Sequence, residues 1–134
     1  IIKNKIMTIE EWETCKEYAY KLFQYGQEVA SENGLILVDT KYEFGIDEFG
    51  KIMLVDELHT PDSSRFWIED SYEERMSKGQ EPESIDKEFI RRWIRENYKD
   101  PYDLTIELIV PDELRLELST KYLLLHELIT GEKL

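Results

Sequence analysis

From Ile9 to Ala30 apolar residues recur at spacings of mostly three and four: Ile9, Trp12, Cys15, Ala19, Leu22, Phe23, Val29 and Ala30. That spacing predicts one long helix with a single apolar stripe. Thr8-Ile9-Glu10-Glu11 in front of it reads as a capping box, and Gly34 suits the left-handed residue that ends it. From Leu35 the period drops to two. Leu35 to Gly45 predicts a strand, Asp47, Glu48 and Gly50 a turn, and Ile52 to Leu58 the returning strand of a β-hairpin. His59 to Trp67 reads as a loop around Pro61-Asp62-Ser63-Ser64, and Glu69 to Glu83 as a mobile polar excursion containing Gly79 and Pro82. Helical spacing then returns. Ser84 is placed to cap a helix from Ile85 to about Tyr98, with Phe89, Ile90, Trp93 and Ile94 inward and Asp100-Pro101 as its stop. Pro111 suits the first turn of a last helix, which buries Leu114, Leu118, Tyr122, Leu125, Leu128 and Ile129 and ends at Gly131. The order of helix, hairpin, loop and two helices predicts an α+β fold, an antiparallel hairpin packed on helices.

Charge narrows the function. The 134 residues carry 30 acidic and 17 basic side chains, a net charge of −13. A nucleic-acid binder needs a basic face for the phosphates, and docking on anionic lipid needs the same, so neither is expected. A small anionic substrate is compatible, because a few local cations can dominate one cleft. Cys15 is the only cysteine and lies on the apolar stripe, so it reads as a packed, inert thiol in a reducing, cytoplasmic setting. No apolar run approaches the ~20 residues of a membrane span. The chain opens Ile1-Ile2-Lys3, which reads as a piece of something longer. His59 and His126 form no legible dyad with a nucleophile.

The chemistry concentrates on the hairpin. Alternation puts Asp39, Lys41 and Glu43 on one strand face and Val38, Thr40, Tyr42, Phe44 and Ile46 on the other. A turn symmetric about residues 49 and 50 would set Glu43 opposite Asp56. Two facing carboxylates repel, and a divalent cation relieves that repulsion. Mg²⁺ favours one or two carboxylates completed by phosphate oxygens and water, with Lys41 near enough to touch a phosphate. The same pattern also fits a solvated face of interleaved charges, and a slip of one residue separates the pair. Beyond the hairpin, Asp62 can accept from two vicinal ribose hydroxyls, and Arg65 can grip a phosphate or carboxylate in two places. An ordinary Asx or Ser turn with an exposed arginine explains Asp62, Ser63, Ser64 and Arg65 equally well.

Together these segments resemble one family. Leu37-Val38-Asp39-Thr40-Lys41-Tyr42-Glu43-Phe44-Gly45 closely resembles a signature of SAICAR synthetases. Leu54-Val55-Asp56-Glu57, Thr60-Pro61-Asp62-Ser63-Ser64-Arg65-Phe66-Trp67, Ser84-Ile85-Asp86-Lys87 through Arg91 and Trp93, and Leu128 to Lys133 look like that family's later blocks, in order. The resemblance implies an ATP-grasp-like fold of which residues 1–134 are the C-terminal, ATP- and substrate-binding portion. It implies an ATP- and Mg²⁺-dependent ligase of purine biosynthesis joining L-aspartate to carboxyaminoimidazole ribonucleotide (CAIR). By the resemblance Lys41 and Asp39 are catalytic, Lys41 supporting the phosphates and Asp39 organising Lys41 or the metal shell. Glu43 and Asp56 hold metal and nucleotide. Asp62, Ser63, Ser64 and Arg65 bind substrate, Asp62 at the ribose and Arg65 at the phosphate. Asp86, Lys87 and Arg91 form a second substrate-side group, for which ion pairing along a helix face is the plainer reading.

Family members are about twice this length, and their N-terminal half carries a glycine- and lysine-rich loop over the ATP phosphates. These 134 residues contain no such loop, so the expected partner is the missing N-terminal half, without which the chain is expected to be inactive. Two other readings stay open: another ATP-grasp-like carboxylate–amine ligase, and a non-catalytic acidic interaction module.

Overall fold

The computed structural model describes residues 6–98, 100, 105 and 107–133. Helix α1 (Ile9–Glu32) starts at the expected capping box: Glu11 N donates to Thr8 Oγ1 at 3.2 Å, and Thr8 N donates to Glu11 Oε2 at 2.6 Å. It ends at Asn33, after which Gly34 takes φ +70 and turns the chain back. Strand β1 (Leu35–Thr40) follows.

The expected single strand from Leu35 to Gly45 is in fact two, in two different sheets. β1 pairs antiparallel with β4 (Ser64–Ile68), while β2 (Glu43–Ile46) pairs antiparallel with β3 (Ile52–Val55). The hairpin is therefore β2–β3 alone, and part of the expected loop from His59 to Trp67 is the strand β4. β3 stops at Val55 because Asp56 adopts φ 68, a left-handed conformation that cannot continue a strand.

The expected mobile excursion from Glu69 begins with a helix, α2 (Glu69–Ser77). None of its residues is buried, so it carried no apolar stripe to announce it. Glu69 N donates to Gly34 O at 3.0 Å, and Tyr72 stacks on Trp67 with ring centroids 5.5 Å apart.

The helix expected from Ile85 starts later, as α3 (Glu88–Asn97). Ser84 is not its cap. Residues 83–85 run beside β4 instead: Ile68 N donates to Glu83 O at 2.9 Å, Ser84 bridges Trp67, and Ile85 N donates to Phe66 O at 3.0 Å. Asp86 supplies the cap-like contact, its Oδ1 accepting from Glu88 N at 2.7 Å. α3 ends before Asp100, and Pro101, its expected stop, lies outside the described residues. Helix α4 (Asp112–Thr130) follows Pro111 and ends at Gly131 with φ +72, as its sequence indicates.

One core joins these elements: Ala30 of α1, Leu35 and Leu37 of β1, Phe66 of β4, Ile85 and Leu125 of α4, with Phe23, Ile68, Leu128 and Ile129 packed around them. Burying each large side chain contributes about 1.5–3 kcal/mol. The fold is α+β, small antiparallel sheets with four helices. No helix among the described residues is long and apolar enough to cross a membrane.

Candidate functional site

The core side of β1–β4 dictates what lies on its other side. Leu35 and Leu37 point inward, and strict alternation would send Asp39 after them. A bulge at Val38 prevents this: Leu37 pairs with Phe66, and the next pair is Asp39 with Arg65. The inserted residue re-aims Asp39 out of the core and onto Arg65. Arg65 Nε donates to Asp39 Oδ1 at 2.9 Å, and its Nη2 donates to Oδ2, a two-point grip. The hydrogen bonds from Arg65 hold the Asp39 carboxyl below the usual carboxylate range. Asp39 thus orients Arg65, whereas the family resemblance has it organise Lys41 or the metal shell.

Asp86 sits beneath this pair and is fully buried. Its Oδ2 accepts from Phe66 N at 3.1 Å while its Oδ1 accepts from Glu88 N. Burial pushes its carboxyl above the usual range, and the two backbone donors offset part of that. With its oxygens committed to amides of β4 and α3, Asp86 locks the two elements together. Its neighbours Lys87 and Arg91 face outward. Arg91 Nη1 is 3.5 Å from Glu88 Oε2, and Lys87 forms no ion pair among the described residues.

The segment between β3 and β4 folds on Thr60. Its Oγ1 accepts from Asp62 N at 3.3 Å and Ser63 N at 3.2 Å, and its carbonyl accepts from Ser64 N at 2.9 Å. Ser64 is buried, and its hydroxyl is shared with Thr40 Oγ1 at 2.8 Å. Lys41 N donates to Ser63 O at 3.2 Å, extending the β1–β4 pairing by one step. The turn is held from outside the site by His59, whose Nε2 is 2.6 Å from Tyr42 Oη and whose ring fills the space beside Gly26 of α1. A Cβ at Gly26 would stand 2.3 Å from His59 Cε1. Burial lowers the His59 pKa, so the ring is a neutral packing group. A glycine in mid-helix was the legible signal for this contact.

The hairpin register differs from the symmetric turn. Glu43 lies opposite Val55, and Asp56 is one residue past the strand end. The two carboxylates still converge, through Lys41 rather than through each other: Lys41 Nζ is 2.5 Å from Glu43 Oε1 and 3.4 Å from Asp56 Oδ2. All three side chains are about half exposed. The hydrogen bond to Glu43 raises the Lys41 pKa, with Asp56 adding to it. Among the described residues no group of three or more His, Cys, Asp or Glu side chains is arranged to hold a metal ion.

Of the site residues expected from the sequence, all except Glu43 and Asp56 line one open cleft of about 390 Å³. Lys41, Arg65, Lys87 and Arg91 line it together with Asp39, Asp62, Asp86 and Glu88. The cleft lining is formally neutral in a chain of net charge −13, so an anion meets less repulsion there than over the acidic surface as a whole. The contribution that sequence reasoning missed comes from α4: Tyr122, assigned to its buried face, donates its hydroxyl to Asp62 Oδ1 at 2.8 Å.

Residues 1–107 match the family model described as SAICAR synthetase. The phosphoribosylaminoimidazole-succinocarboxamide synthase of Legionella pneumophila (strain Paris) is 53% identical over 132 residues, covering 98% of this chain and 42% of that protein. A SAICAR synthase from Saccharomyces cerevisiae, solved in complex with SAICAR, is 40% identical with a TM-score of 0.71, covering 88% of this chain and 38% of that one. A type-2 SAICAR synthetase in complex with ADP is 29% identical with a TM-score of 0.65, covering 95% and 41%. The chain therefore spans about two fifths of the length of these relatives.

Proposed function

The chain belongs to the SAICAR synthetase family, and from that we propose that it is the C-terminal, ATP- and substrate-binding portion of an ATP-dependent ligase of purine biosynthesis. The whole enzyme, cytoplasmic and ATP-grasp-like in this reading, joins L-aspartate to the carboxylate of CAIR and releases SAICAR, ADP and phosphate. The observation that carries the proposal is the convergence of three separate sequence blocks, around Lys41, Arg65 and Lys87, on one cleft.

A carboxylate is a poor electrophile and an acyl phosphate a good one. ATP phosphorylates the CAIR carboxylate, and the aspartate amine then displaces phosphate. Arg65, held in orientation by Asp39, takes the ribonucleotide phosphate. Asp62 accepts from the ribose hydroxyls, with Ser63 beside it. Ser64, whose hydroxyl is committed to Thr40, shapes the turn. Lys87 and Arg91 supply further positive charge on the substrate side, and buried Asp86 fixes where they stand. Lys41 supports the ATP phosphates.

Mg²⁺ fits the hairpin's donor set: Glu43 and Asp56 share one cation already, and two carboxylates with nucleotide phosphate oxygens suit this metal. When bound it would neutralise charge on the phosphates. The rest of the site comes from the N-terminal half. An open groove of about 630 Å³ between α1 and the strands, lined by Trp12, Tyr20, Phe23, Tyr42 and Phe44, supports the view that more protein covers this face.

Product analysis in a protein of the relatives' full length carrying this chain tests the proposal. Consumption of CAIR, aspartate and ATP with equal release of SAICAR and ADP is expected. Ligation of glycine in place of aspartate would sink the specific assignment.

A further inference from the structure

Tyr122 lies in α4, beyond the residues that match the family model, yet it touches Asp62 of the cleft lining. Its neighbours along the helix, Leu118 and Leu125, face inward, and its ring is half-buried with them. Its hydroxyl donates to Asp62 Oδ1 at 2.8 Å, across 60 residues of sequence. Asp62 is exposed on a turn, and the contact that holds the turn there is between Asp62 N and Thr60 Oγ1. That contact fixes the backbone and leaves the carboxylate free to rotate about χ1 and χ2. Tyr122 is what holds the carboxylate. Burial and the adjacent Asp62 charge raise the Tyr122 pKa, so the phenol stays protonated and remains a donor. A phenol has one proton to give, and it goes to Oδ1, which leaves Oδ2 to a ligand.

We propose that Tyr122 is a positioning residue for ribonucleotide binding, holding the Asp62 carboxylate by one oxygen so that the other meets the ribose hydroxyls. The proposal rests on the reading of Asp62 given above. It makes the C-terminal helix part of the substrate site as well as part of the core. Tyr122 does not line the cleft and acts only through Asp62.

The test is steady-state kinetics of Tyr122→Phe, Asp62→Asn, Asp62→Ala and the double variant Asp62→Ala with Tyr122→Phe, in a protein of the relatives' full length that carries this chain. Phenylalanine keeps the ring and its packing and removes only the hydroxyl. Tyr122→Phe should raise KM for the ribonucleotide about five- to ten-fold, the scale of one lost orienting hydrogen bond to a charged group. KM for ATP and kcat should hold at their starting values. Asp62→Asn should raise the same KM, and in Asp62→Ala, which leaves the phenol no acceptor, adding Tyr122→Phe should cost nothing more. An unchanged ribonucleotide KM in Tyr122→Phe, with a raised one in Asp62→Asn, overturns the role of Tyr122 and leaves the site standing. An equal rise in both KM values in Tyr122→Phe means a general structural effect and also overturns it. An unchanged KM in Asp62→Asn removes Asp62 from the substrate site, and the proposal falls with that reading.

Discussion

Two regions of the molecule carry the same kinds of side chain and organise them differently. On the β1–β4 side the carboxylates have fixed partners: Asp39 and Arg65 join at two points, Asp86 is buried against two backbone amides, and Asp62 is held by Tyr122. On the β2–β3 side Glu43 and Asp56 meet only through Lys41, and all three are about half exposed. The first region is preorganised by this chain alone. The second holds two carboxylates near one another through a single half-exposed lysine, which suits groups that finish assembling around a ligand. The difference teaches that a strand bulge and a buried acceptor can fix one set of charges in place while a neighbouring set stays half exposed.

The comparison breaks first at the hairpin. Glu43→Gln or Asp56→Asn in the full-length protein should reduce ATP turnover by about 100-fold or more, as expected for loss of a metal-holding carboxylate. Because both side chains are exposed, the melting temperature should hardly move. Unchanged turnover would remove the metal role. On the other side the largest effect falls on stability. Asp86→Ala leaves the Phe66 and Glu88 amides without their acceptor, which should cost about 2–4 kcal/mol in urea denaturation. A loss below 1 kcal/mol would show that Asp86 is not the lock between β4 and α3.

Gly26→Ala gives a test with opposed signs. In an ordinary helix interior this change stabilises by about 1 kcal/mol. Here the new Cβ meets His59 at 2.3 Å and must displace the ring that holds the β3–β4 turn, so a net destabilisation of about 1–3 kcal/mol is expected. The smallest effect concerns Asp39. Arg65 lowers its folded-state pKa below the ordinary 3.8, so the pair's stabilisation is present above that pH and is lost as the pH falls through the lowered value. The pair is half exposed and screened, so the contribution is below about 1 kcal/mol. The gap in urea midpoint between the parent and Asp39→Asn should be constant near neutral pH and close in acid.

Much of this was legible in the chain, for identifiable reasons. The capping box at Thr8, the stripe of α1 and the stop at Gly131 are local signals, and all three stand in the structure. The extent of the strands was not legible, because it depends on pairing. The bulge at Val38, the change of partner at Lys41 and the left-handed Asp56 leave no mark on a period-two pattern. The cleft's residues were found as separate short blocks, but their distribution was not: Asp39 turned to Arg65, and Glu43 faced Val55. Tyr122 read as part of the buried face because its ring is half-buried there; its hydroxyl bond to Asp62 links it to the cleft.

The division of labour between the two regions can be tested in one titration. CAIR and Mg²⁺–ATP are each titrated into the full-length protein with Glu43→Gln and Asp56→Asn combined. Binding of Mg²⁺–ATP should be lost, while CAIR affinity stays within about two-fold of the parent, because the contacts that fix Asp39, Asp86 and Asp62 involve no hairpin residue. A parallel loss of CAIR affinity would contradict the account, since it would mean that the hairpin and the cleft form one inseparable site.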